Sequence, residues 1–152
     1  MTGFPAAAFT ALADFPLIWR WNSRSHDVLP AAALATIRPF TAVAAAAISH
    51  EEVRRCGDEL KADDLIEIDA ASGESAVRER LAALGVAADE AIVVSWSPSL
   101  ALLTRWETFV RYWDAFCYPS SDDVTVWAPA SDWTLCYWHF EQIHFRRRQG
   151  QR

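Results

Sequence analysis

The polar and apolar positions change period near residue 117, and that change predicts the core of the molecule. Thr104 and Glu107 have the spacing of a capping box, and Trp106, Phe109, Val110, Trp113 and Phe116 then fall on one helical face. This predicts a helix over 104–116 with that face buried. Tyr118, Pro119 and the polar run 120–123 end the pattern. Alternating sequence follows and predicts strands over 123–127, 133–140 and 142–145.

Upstream, Trp19 and Trp21 alternate within 15–21 and predict an early strand before a polar turn over 22–27. Pro30 suits the first turn of a short helix over 31–37, broken before Pro39 because the residue preceding proline avoids helical geometry. Thr41 starts a helix over 41–48, and Ser49 with Glu52 forms a capping box for the next, lined by Val53, Cys56 and Leu60. Residues 65–68 predict a short strand. Ser72 or Ser75 caps a helix carrying Val77, Leu81 and Leu84, ended by Gly85 with Val86 as its hydrophobic follower. Strands over 91–96 and 100–103 flank the turn of Ser97, Pro98 and Ser99. Helices early and antiparallel strands late predict one α+β domain over 1–146, the 104–116 helix packed on the sheet, and a basic flexible tail over 147–152.

Six of the eight tryptophans fall between residues 96 and 138. Each buries a large apolar area while its indole N–H seeks a partner, so the cluster is an aromatic core or an aromatic recognition surface, the core being the default. With 152 residues and 52% hydrophobic composition the chain can build one ordinary core. Charge adds a regional feature. Of the net −6, residues 51–90 contribute −7 (twelve Asp/Glu against five Lys/Arg) and the remainder +1. Such a surface repels nucleic acid and anionic lipid and attracts basic partners, so neither nucleic acid nor membrane is an expected partner. Cys56, Cys117 and Cys136 have no ligand-like or paired spacing and read as free thiols. The opening lacks the basic start of a signal peptide, and the alanine-rich 42–48 stretch is too short to span a bilayer. A cytoplasmic location follows as the expectation. Thirteen arginines to one lysine, with abundant alanine, suggest the coding bias of a GC-rich bacterial genome.

His139, Glu141 and His144 form an H-x-E-x-x-H string, but histidines five apart on β-rich sequence point to opposite faces, whereas a zinc helix needs them four apart. They converge only if a bulge intervenes. No phosphate loop, nucleophile elbow or dinucleotide fingerprint occurs, and no cofactor is expected. Cys117 follows apolar Phe116 and reads as a buried structural thiol, although a thiol nucleophile needs only a nearby histidine. The helix-to-strand loop offers the better surface. Tyr118, Ser120, Ser121, Asp122 and Asp123 are exposed by turn logic, Asp114 lies on the polar side of the preceding helix, and Trp127 begins the next strand. Aromatics beside carboxylates suit an arginine- or lysine-bearing partner; an ordinary polar loop is the bland alternative.

The stretch FVRYWDAFCYPSSDDVTVW over 109–127, followed by a tryptophan-containing strand and HFE, resembles a group of small bacterial proteins. It is also similar to immunity proteins of toxin systems, including the Smi1/Knr4-type superfamily. The resemblance covers about the last third of the chain, implies a small, acidic, cytoplasmic α+β protein, and transfers no site residue. The expected function is therefore non-enzymatic binding of a protein partner, an immunity protein blocking a basic toxin. The alternatives are a small metal-dependent hydrolase using His139, Glu141 and His144, and an interaction domain that forms a homodimer through exposed tryptophans.

Overall fold

The computed structural model describes residues 3–56 and 65–147. After two 3-10 turns (Ala6–Ala8 and Leu12–Asp14) come α1 (Trp19–Asn22), α2 (Ala31–Leu34), β1 (Arg38–Pro39) and α3 (Ala42–Cys56). Then follow β2 (Leu65–Asp69), a 3-10 turn (Ala70–Ser72), α4 (Glu74–Ala82), β3 (Ala91–Ser97) and β4 (Leu100–Arg105). The chain continues as α5 (Trp106–Arg111), α6 (Trp113–Phe116), β5 (Val124–Trp127), β6 (Trp133–Trp138) and β7 (Gln142–Arg147). The strands form one seven-stranded sheet in the order β1-β4-β3-β5-β6-β7-β2, and every neighbouring pair is antiparallel. The fold is thus α+β, with most of the sheet from the C-terminal half and its two edges from the N-terminal half. Both edges are guarded. β1 is two residues long and ends in proline, and on β2 the Glu67 and Asp69 carbonyls accept from Arg80 Nη2 and Ser72 Oγ.

Alternation assigns the two faces of the sheet. Val124, Val126, Leu135, Tyr137, Ile143 and Phe145 are buried in the main core beneath α4, α5 and α6. Val93, Ala101 and Trp127 point to the other face, where Phe40 and Ala45 cover them. The expected face of Trp106, Phe109, Val110, Trp113 and Phe116 is buried throughout. The helix bearing it is shorter and broken. Thr104 belongs to β4, its hydroxyl 3.0 Å from that of Thr36, and so caps nothing; the backbone turns at Tyr112 (φ −120°, ψ 28°) between α5 and α6. Two aromatic side chains tie down the end of four-residue α6, since Trp21 Nε1 donates to the Ala115 carbonyl (3.1 Å) and Trp96 Nε1 to the Phe116 carbonyl (3.0 Å). Much of the tryptophan content therefore does both core jobs at once, filling space and donating to helix ends.

Two further expectations change. Residues 15–21 are not a strand: they close local hydrogen bonds (Ile18 N to Phe15 O, Arg20 N to Leu17 O) and lead into α1, which buries Arg20 and Trp21 and leaves Trp19 outside. The apparent alternation is a hydrogen-bonded turn followed by the four-residue α1, which packs on α6. The separate helices expected on either side of Ser49 are one continuous α3, started by Thr41, whose Oγ1 accepts from Ala44 N at 3.1 Å. The face expected from Val53, Cys56 and Leu60 lies outside the described side chains, as do residues 148–152 of the expected tail; Arg147 is still in β7, donating to the Leu84 carbonyl. Gly85 ends the α4 region with φ +79°, as its position predicts. Among the described residues no helix is long and apolar enough to cross a membrane.

Candidate functional site

The 118–123 loop leaves α6 through buried Cys117 and turns at Ser120, whose φ is 69°. Ser120, Ser121 and Asp123 are exposed, and Tyr118 and Asp114 are half-buried. Asp122 is not exposed as turn logic predicts. It is buried against Arg20, whose Nη1 donates to Oδ2 at 2.6 Å and Nη2 to Oδ1 at 3.2 Å, while Tyr118 N also donates to Oδ2 at 2.9 Å. The Arg20 guanidinium lies 3.9 Å from the Tyr118 ring centroid. A bidentate pair of this kind pulls the carboxylate inward because Arg20, itself 5% exposed, has no water to satisfy it. Trp127 is also removed from the surface site: it packs in the core on the opposite sheet face.

Asp114 faces a cleft of about 410 Å³ whose walls include Asp27, Val28, Glu74, Arg78, Arg111 and Tyr112. Three elements deliver its carboxylates: the 23–28 loop closed by the Asn22–Val28 bridge, the first residue of α4, and the first turn of α6. Trp113 Nε1 donates to the Glu74 carbonyl at 3.1 Å, so α6 holds the start of α4 in place. Within the cleft Arg78 is committed to Glu74 (2.5 Å) and to the Arg111 carbonyl (3.1 Å). Neither Asp27 nor Asp114 has an ion-pair partner among the described residues. The Asp114 carboxyl is held above the usual carboxylate range by its burial, then by the negative charges of Glu74 and Asp27. Burial likewise raises the Tyr118 hydroxyl, which stays protonated beside the same acids.

An aromatic cluster packs beside the 118–123 loop. The Trp19 ring meets His26 at 4.6 Å and Tyr118 at 6.1 Å, both edge-on, and His26 stacks with Tyr118 at 6.3 Å. Trp19 is 41% and Val28 66% exposed. Sequence reasoning found Asp114 and Tyr118 here but missed Trp19, His26, Asp27, Val28 and Glu74. Reading 15–21 as a strand hid the signal, which was Trp19 at the start of a helical turn that leads into the polar segment with His26 and Asp27.

The H-x-E-x-x-H side chains have separate partners. His139 shares Asp123 Oδ1 through both its backbone N and Nδ1 at 2.9 Å, in the three-residue β6–β7 loop that ends with Glu141 at φ 63°. His144 Nδ1 accepts from Trp138 Nε1 at 3.2 Å, and its Nε2 lies 3.9 Å from Glu67. Among the described residues no three His, Cys, Asp or Glu side chains gather in a metal-binding arrangement. Cys117 is fully enclosed, and burial pushes its thiol well above the usual range, which disfavours the nucleophilic thiolate. Comparison with protein-family models, with curated proteins and with solved structures gives no match.

Proposed function

We propose that the chain is a non-enzymatic protein-binding protein of the bacterial cytoplasm, of the immunity-protein kind, which captures a basic toxin through the cleft between α4 and α6. One observation carries this reading: Asp27, Glu74 and Asp114 line one open cleft with Arg78 and Arg111, Arg78 being committed to Glu74, so carboxylates outnumber guanidiniums there, and Val28 in its wall is exposed. The excess of carboxylate in the cleft suits a basic partner, whose charge offsets it on binding. The same charges steer encounter, because their field reaches about 8 Å at physiological ionic strength. Glu74 is the acid of the 51–90 region that lines the cleft.

The test uses a partner isolated from the native host and measures association and dissociation rates at low and high salt. Replacing Asp27 and Asp114 together by asparagine should slow association and flatten its salt dependence while leaving the fold intact. An acidic partner, or rates indifferent to both salt and the substitutions, would overturn the reading.

A further inference from the structure

Trp138 and His144 lie on the sheet face opposite the main core, near the end of the β6–β7 hairpin. In the ladder His144 is the partner of Cys136 on β6 and of Glu67 on β2, and alternation puts these side chains and Trp138 on one side of the sheet. Trp138 Nε1 lies 3.2 Å from His144 Nδ1. An indole N–H can only donate, so this ring nitrogen accepts and carries no proton. The hydrogen of the neutral ring then sits on Nε2, which is 3.9 Å from Glu67 Oε1. The neutral imidazole is thus held between an indole donor and a carboxylate.

A second proton changes which of these contacts can exist. It goes to Nδ1, the atom that the indole N–H already faces, and two N–H groups cannot share one hydrogen bond. The imidazolium gives up Trp138, while its new charge is drawn to Glu67. We propose that His144 is an acid-operated latch on the β6–β7 hairpin: neutral, it pins Trp138; protonated, it releases Trp138 and turns to Glu67. The Trp138 ring stacks with Phe140 (centroids 6.3 Å apart, planes at 4°), and Phe140 is 59% exposed at the hairpin tip, so the released indole joins an aromatic side chain already in water. Histidine is the side chain whose ordinary titration falls between about pH 5 and 8, which makes it the group to carry such a change. Among the described residues, the titratable and charged groups sharing this face are Glu67 and Asp69 from β2, Cys136 from β6 and Arg146 from β7 itself. Asp69 Oδ1 is taken by Ala71 N, and Arg80 of α4 reaches the β2 edge at the Glu67 carbonyl. Beyond Trp138 the hairpin loop carries Glu141 and His139, the latter joined to Asp123.

The experiment follows the full chain by NMR over about pH 5–8, reading the Trp138 indole N–H resonance, assigned from a Trp138→Phe variant, beside the ring-proton resonances of His144. The indole resonance should move upfield as its hydrogen bond is lost, in one step that coincides with the His144 titration. His144→Gln keeps an acceptor for the indole and cannot titrate, so in that variant the indole resonance should stay constant across the range. The hairpin's other imidazole supplies the control. His139 lies 5.4 Å from Phe140 and could act on Trp138 through it, and in His139→Asn the step should persist unchanged. An indole resonance that ignores the His144 titration, or a His144 ring that does not titrate in the folded chain, would overturn the inference. So would a step that survives in His144→Gln or disappears in His139→Asn. If His144→Gln does not fold, the coincidence of the two titrations in His139→Asn decides the outcome alone.

Discussion

Arg20 sits 102 residues from Asp122, and the pair they form is the least local interaction in the loop region. Both ends are buried, and among the described residues Arg20 Nε has no hydrogen-bond partner, so the pair sits where desolvation is expensive. Breaking it should therefore cost more than any surface pair: Asp122→Asn leaves a buried guanidinium uncompensated and should destabilise by about 3–5 kcal/mol. Asp123→Asn, at an exposed carboxylate next door, should change stability by no more than about 0.5 kcal/mol. Urea titration of the two variants separates them. A loss below about 1 kcal/mol for Asp122→Asn would mean that the guanidinium finds water in solution. The expectation that Asp122 and Asp123 are equivalent loop acids fails here for a physical reason: turn propensity says where the backbone bends, not which side chain a distant arginine draws inward.

Among the elements, α5 and α6 show how a pattern can survive a break in the helix that carries it. The turn at Tyr112 interrupts the backbone ladder, yet Trp106, Phe109, Trp113 and Phe116 remain buried because the bend keeps the second helix's apolar side against the sheet. Trp113 is the joint between core and cleft. Truncation to alanine should cost about 3–5 kcal/mol, as for other large buried aromatics. Trp113→Phe should lose less, about 1 kcal/mol for the missing donor to the Glu74 carbonyl beyond its smaller area. Denaturant titration checks both, and a Trp113→Phe loss no larger than its smaller area accounts for would show that the hydrogen bond contributes nothing beyond packing. Trp133 differs: among the described residues its indole N–H has no hydrogen-bond acceptor, and its ring packs edge-on against Trp106 at 5.2 Å.

At the scale of the molecule, the cleft has a cost that pH can reveal. Because the folded state holds the Asp114 proton more tightly than the unfolded chain does, ionised Asp114 destabilises the fold. That cost is full above its raised folded pKa and disappears as pH falls below the unfolded value of about 4. Asp114→Asn should accordingly raise the melting temperature at pH 7, with the gain shrinking on acidification. Asp123 has the opposite sign: hydrogen bonds from His139 hold its carboxyl low, so it stabilises above the ordinary carboxylate value and loses that contribution as pH falls through its lowered one. Melting curves of Asp114→Asn and the parent chain across pH 4–8 test the first claim; a constant difference would show that Asp114 titrates normally.

Local periodicity determined which residues of α4, α5 and α6 are buried, where the Gly85 boundary falls, and that the C-terminal half forms antiparallel strands, because these depend on neighbours a few residues apart. It also placed Asp114 and Tyr118 outside the core, where both are half-buried. Only the tertiary structure decided that the 15–21 segment is helical, that Trp127 faces the opposite side of the sheet, that Asp122 turns inward to Arg20, and that Asp27, Glu74 and Asp114 share one cleft. Those outcomes depend on packing between segments far apart in the chain. A sequence period says which side chains can share a face; the packing of one face on another, and the burial energy that fixes it, decides which of them meet.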